Sequence, residues 1–211
     1  MPVKVDDTRA RLLKAAAEIF AEQGFEKATI RQICSRAAAN VALINYHFGD
    51  KLELFTEVLR SSMTRAEPAP KPAPPFAQPD QALRQMIRLM VERAFETSDQ
   101  ASLRFRLMMH EFVQPSVATA CVVDQVLRPV YDRLREIVAA ILELSPDHEK
   151  TRLCVHSVLG QVAHYSHSTP VLTRLWPDLK MTPEQRDRIA NHIADFTLTY
   201  LHTARAGVRV E

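Results

Sequence analysis

Only four glycines, Gly24, Gly49, Gly160 and Gly207, are spread through the 211 residues of this chain, and no two lie close together. A phosphate-binding loop of the P-loop or dinucleotide type needs clustered glycines so that backbone amides reach the phosphates; none can be built here. Strand-rich sandwiches need glycine at many turns and are disfavoured too. No segment alternates apolar and polar residues convincingly, and there is no internal repeat. The pattern that does recur is helical. Leu12, Leu13, Ala16, Ile19 and Phe20 form a 3.6-residue stripe that stops before Gly24, with Asp6, Asp7 or Thr8 available to cap its start. Thr29 to Gln32 is a capping-box pattern that opens a second short helix, Asn40 can cap a third over Val41 to Tyr46, and Asp50 to Glu53 opens a fourth.

Six of the thirteen prolines fall between Glu67 and Pro79. Such a run lacks amide donors and reads as an extended connector over 67–79. The remainder predicts helices over 80–97, 100–113, 116–143, 146–167 and 183–204. Their starts are marked by Asp80 after Pro79, by Ser145-Pro146, and by Thr182-Pro183 with Gln185 completing a capping box. The expected fold is all-α: an N-terminal three-helix helix-turn-helix domain over 7–52, then a larger helical ligand-binding and dimerisation domain over 53–211.

Chemistry concentrates between Ala28 and Lys51, where two short capped helices are joined by a tight turn at Ala38–Ala39. In a helix-turn-helix of this outline the second helix enters the major groove while the first crosses the backbone. The chain carries a net charge of only +2, yet Lys27, Arg31, Arg36 and Lys51 here face a single acid, Asp50. Asn45, Tyr46 and His47 add uncharged donors suited to phosphates and base edges. Plain helical corners share this outline, so spacing alone leaves DNA binding and a structural corner both open. Ile44 and Phe48 read as core. Leu43 is either core or a thymine-methyl contact, and Arg36 either a DNA contact or a solvated charge. Cys34 reads as a small buried apolar residue.

The other classes find little support. Cys34, Cys121 and Cys154 are widely spaced and form no CxxC pair, so neither a disulfide framework nor a zinc knuckle is expected, and a reducing cytoplasm is the natural compartment. Lys4, Asp6, Asp7, Arg9 and Arg11 stand where a secretory apolar region would lie. Leu153 to Thr173 lacks Asp, Glu, Lys and Arg but holds three histidines and Pro170, and reads as a buried helix, not a membrane span. There is no GxSxG, HExxH or P-loop, and Cys154 and His156 are two apart on a helix and point different ways, so no enzyme, cofactor or catalytic residue is expected. His164 and His167 share a helix face and His110-Glu111 could add ligands, but this spacing is common by chance and no metal is expected.

Arg11-Leu-Leu-Lys-Ala-Ala-Ala-Glu-Ile-Phe-Ala-Glu-Gln-Gly-Phe25, Ala28-Thr-Ile-Arg-Gln-Ile33, Ile44-Asn-Tyr-His-Phe-Gly-Asp-Lys51 and Leu54-Phe55 resemble the N-terminal domain of TetR-family repressors. Met109 to Ser116 and Gly160 to Pro177 resemble the CecR-type subgroup. The chain departs from the family pattern in carrying Ala38 where the turn usually has glycine and Asn45 where a tyrosine is usual. The resemblance implies a ligand-responsive repressor, homodimeric on a near-palindromic double-stranded operator and released by a small-molecule inducer, with efflux or drug-sensitivity genes as its targets. It places Thr29 on phosphate, Arg31 on base or backbone, and Val41, Ala42, Leu43 and Asn45 on the recognition helix, with Asn40 at its cap a further DNA-binding candidate. Tyr46 and His47 would meet phosphate or base edges, and Lys51 a phosphate. The alternative is a helical adaptor or dimerisation protein that binds no DNA.

In the C-terminal piece, Val155, Val158, Leu159 and Val162 form one stripe and Ile189, Ile193, Phe196 and Tyr200 another, with Gly160 permitting close helix approach; these stripes read as dimer interface or as monomer core. Phe105, Met109, His110, Gln161, His164, Tyr165 and Trp176, with Met108 and Phe112, combine large apolar groups with a few polar ones, as ligand sites and ordinary cores both do.

Overall fold

In the computed structural model, residues 5–62 and 78–208 are described, and among them every regular element is helical. The elements are α1 (Val5–Lys27), α2 (Ile30–Ala37), α3 (Ala42–Phe48), α4 (Lys51–Ser62), α5 (Pro79–Ala94), α6 (Asp99–Val113), α7 (Thr119–Val122), a π-helical turn (Val123–Leu127), α8 (Arg128–Leu142), α9 (Glu149–His167), α10 (Thr169–Leu175) and α11 (Pro183–Val208). The expected connector falls largely on 63–77, outside the described residues; Pro79 opens α5, where its missing amide costs nothing.

Contacts divide the chain into two units along different lines from a cut at the proline run. The first joins α1–α4 with α6, α7 and the π turn; the second joins α5 with α8–α11. The first is centred on Leu12, Phe20, Ile33, Ile44, Phe48 and Phe55, with Leu107 of α6 in the same cluster. Phe55 meets Phe20 and Phe25 edge-on at 5.2 and 5.4 Å, near the optimum for aromatic pairs. Glu111 of α6 is buried, and its Oε2 accepts from the Ser116 amide at 3.1 Å and from the Ser116 and Thr119 hydroxyls, both at 2.8 Å, which fastens the corner between α6 and α7. The second unit packs Leu83 and Ile87 of α5, Leu134 and Ile141 of α8, Val155 and Val158 of α9, and Ile189 and Ile193 of α11.

Three helix expectations are corrected. The single helix over 116–143 is α7, a π turn and α8. Pro129 has no amide for the carbonyl four residues back, and the chain relaxes just before it: the Arg128 amide bonds Val123 O, five residues away. The uncharged stretch 153–173 is neither continuous nor wholly buried. It breaks at Ser168 ahead of Pro170, and Leu153 and Val171 are 61% and 57% exposed. Helix α9 starts at Glu149 and not near Pro146: the His148 ring accepts from the Lys150 amide at 3.1 Å, while the Ser145 hydroxyl caps only the preceding turn. No helix among the described residues is long and apolar enough to cross a membrane, and no group of three His, Cys, Asp or Glu side chains there could hold a metal ion.

The corner between α2 and α3 is built by Ala38 at φ 49°, ψ 51°, a left-handed residue whose Cβ crowds its own carbonyl. Glycine avoids that clash, so Ala38→Gly is expected to stabilise the chain by about 1 kcal/mol. Equilibrium urea denaturation measures it; a loss of stability would mean the turn has another conformation.

Candidate nucleic-acid interface

Helix α2 starts on a complete capping box. The Thr29 Oγ1 accepts from the Gln32 amide at 3.2 Å, and the Thr29 amide donates to the Gln32 Oε1 at 2.9 Å. The Thr29 hydroxyl also donates to that Oε1 at 2.8 Å, so much of its hydrogen-bonding capacity is spent inside the helix start. Arg31 is exposed. Ile33, Cys34 and Ala37 face inward, and burial pushes the Cys34 thiol above its ordinary pKa, as an inert structural cysteine requires.

Ile44 and Phe48 are buried and fix the rotation of α3. This turns Ala42, Asn45 and Tyr46 outward, with Tyr46 76% exposed, and leaves Leu43 and His47 half-buried. Leu43 packs against the first core. Asn40 is exposed and its Oδ1 accepts from the Ala42 amide at 2.9 Å, so it shapes the entry to α3, which starts at Ala42; Val41 is 44% exposed beside it. The rings of Tyr46 and His47 meet edge-on at 5.0 Å.

Two cations of this segment are held differently. Lys51 opens α4 with its ammonium 4.3 Å from the Phe25 ring centre and its Nζ 3.4 Å from the Glu26 carbonyl. Partial burial lowers its pKa, against an opposing pull from Glu26. Arg36 is an α1 contact: it donates to both oxygens of Glu22 at 2.8 and 3.0 Å and lies 3.7 Å from Glu18. Those hydrogen bonds hold the Glu22 carboxyl below its ordinary pKa. Arg36 therefore ties α2 to α1, and the local positive charge is carried by Lys27, Arg31 and Lys51.

Sequence reading missed Arg9, which bonds Glu57 at 2.7 Å and lies 5.1 Å over the Phe48 ring, linking α1 to the end of the outward-facing helix and to α4. The partners stand 48 residues apart, so no local spacing could reveal them.

The candidate ligand residues fall in both units. Phe105, Met109 and His110 line a groove with α1 in the first unit, where Met108 packs partly against the core and Phe112 is exposed. Gln161, His164 and Tyr165 lie on α9, and Trp176, 49% exposed, follows α10 in the second.

Residues 79–202 match the family model for the C-terminal domain of the HTH-type transcriptional dual regulator CecR, and residues 12–58 match that of the bacterial regulatory proteins, tetR family. The chain belongs to the TetR family. Within it, the chain is of the CecR type: it is 28% identical to the dual regulator CecR of Shigella flexneri over 178 residues, 77% of each protein. Two solved TetR-fold structures are similar over nearly their whole length. The hemolysin II transcriptional regulator HlyIIR is 21% identical with a TM-score of 0.56, covering 91% of this chain and 99% of that one. AibR, solved with isovaleryl coenzyme A and operator DNA, is 18% identical with a TM-score of 0.57, covering 90% and 97%. A TetR-family protein is a DNA-binding transcription regulator and not an enzyme.

Proposed function

We propose that this TetR-family regulator is a repressor that binds a near-palindromic operator as a homodimer and leaves it when a small molecule binds. The observation that carries the reading is the rotation of α3: Ile44 and Phe48 anchor it inward, so Ala42, Asn45 and Tyr46 project into solvent. On this reading Asn45 and Tyr46 contact base edges, Ala42 and Val41 thymine methyls, and His47 and Lys51 phosphate. Arg31 meets phosphate at the start of α2, the Thr29 hydroxyl can join it only by turning away from the Gln32 Oε1, and Asn40 shapes the entry to the recognition helix. Leu43 supports the helix from its half-buried side.

One such unit reaches about four to six phosphates, too few for tight binding at physiological salt, and two-fold pairing doubles the number. The recognition helices of the pair then stand about 34–36 Å apart, one turn of duplex. Release follows if the inducer prefers the arrangement in which that spacing is lost. AibR was solved with both a ligand and operator DNA, which supports a ligand-responsive reading here.

A gel-shift titration with duplex from upstream of its own gene, repeated across salt concentrations, tests the proposal: steep salt-dependent binding is expected. No salt-dependent affinity for duplex DNA would leave a helical adaptor. In the same assay, Lys51→Ala is expected to weaken operator and unrelated duplex alike and to lower the salt slope by about 1. A change confined to one base preference would refute the phosphate role.

A further inference from the structure

We propose that the groove between α1 and α6 is a binding site for an amphipathic organic anion, one with a flat apolar body and an acidic head. The groove has a volume of about 650 Å³, within the range of small-molecule sites. Its α6 side presents Phe105, Met109 and Val113, and of these Phe105 and Val113 remain 40% and 70% exposed. Val113 thus stays largely in water and Phe105 partly so, although α6 buries Leu107 on its other side.

The charges decide the class of ligand. Lys27 of α1 and Arg106 of α6 both line the groove; Arg106 is near enough to Glu22 to help lower its pKa but makes no salt bridge among the described residues. The carboxylate on the lining, Glu22, is already bonded to both guanidinium nitrogens of Arg36. His110 shares a hydrogen bond with the Ala21 carbonyl at 3.2 Å. Two cations thus line the groove against one carboxylate that is hydrogen-bonded elsewhere, which leaves an excess of positive charge beside apolar surface; its complement is an anion on an apolar body. A cation or a sugar would satisfy neither. The inference rests on the ligand-responsive reading and gives it a location: the site's lining includes Glu22 and His110, which hold α2 through Arg36 and the end of α1 through Ala21.

The test uses the full chain and anilinonaphthalene sulfonate as probe, followed by fluorescence titration, with uncharged phenylnaphthylamine in parallel. Arg106→Gln is expected to weaken the sulfonate about fivefold, the upper end for a partly exposed charge pair, and to leave the neutral dye unchanged. Val113→Glu, at an exposed position that tolerates it, is expected to weaken both dyes, the sulfonate more. Sulfonate affinity unchanged in both variants overturns the proposal. Neither titration contains DNA, so the two readings fail separately. Dye shifts without operator binding would keep the groove and lose the repressor; operator binding without the shifts would lose the groove alone.

Discussion

Phe196→Asp is expected to yield a folded monomer whose operator affinity has fallen at least about hundredfold, because each subunit alone has too few phosphate contacts. The stripes on α9 and α11 divide in the structure. Val155, Val158, Val162, Ile189 and Ile193 are buried in the chain's own core, whereas Phe196 and Tyr200 are 64% and 54% exposed. Leu153 is 61% exposed, and a Cβ at Gly160 would meet nothing within 4 Å. Exposed aromatics on a helix, with a glycine facing open space on another, suit a symmetric helix-to-helix interface, where a buried aromatic anchor is worth about 2 kcal/mol or more. Two-fold symmetry makes each substitution count twice. Light scattering should report half the wild-type mass, with unchanged circular dichroism. Gly160→Leu gives an independent check, since the side chain costs the protomer little and obstructs close approach of a second copy. Wild-type mass in both variants would rule this face out.

Gly24→Ala is expected to destabilise the chain by about 2–3 kcal/mol. Gly24 interrupts α1 at φ 77°, ψ 174°, a region that essentially only glycine occupies. A Cβ there would also lie 3.1 Å from the His110 Nδ1. The break turns the chain so that Phe25 joins Phe20 and Phe55 and Thr29 can start α2. Equilibrium urea denaturation measures the loss. In the double variant Gly24→Ala, His110→Ala the steric part should return and the backbone part persist. A neutral Gly24→Ala would mean that α1 does not break there.

Much of the candidate interface was legible because its signals are local. Gly24 ends a stripe, Thr29 and Gln32 cap each other three residues apart, and Ile44 and Phe48 mark one side of a short helix; each involves groups that the chain itself brings together. The π turn before Pro129 and the break before Pro170 were also present as prolines, but a long apolar periodicity masked them. The role of Arg36 was left open because its partners, Glu18 and Glu22, lie on another helix.

By itself, the order of residues determined that the chain is helical, the capped starts of α2, α4 and α11 and the outward side of α3, since these depend on contacts within a turn or two. Only the tertiary structure decided that α6 and α7 pack with the first four helices, that Arg9 and Arg36 serve as internal ties, and which half of each apolar stripe on α9 and α11 stays exposed. Hydrophobic burial is non-directional: periodicity says that a face must leave water, and packing between distant segments alone says what will cover it.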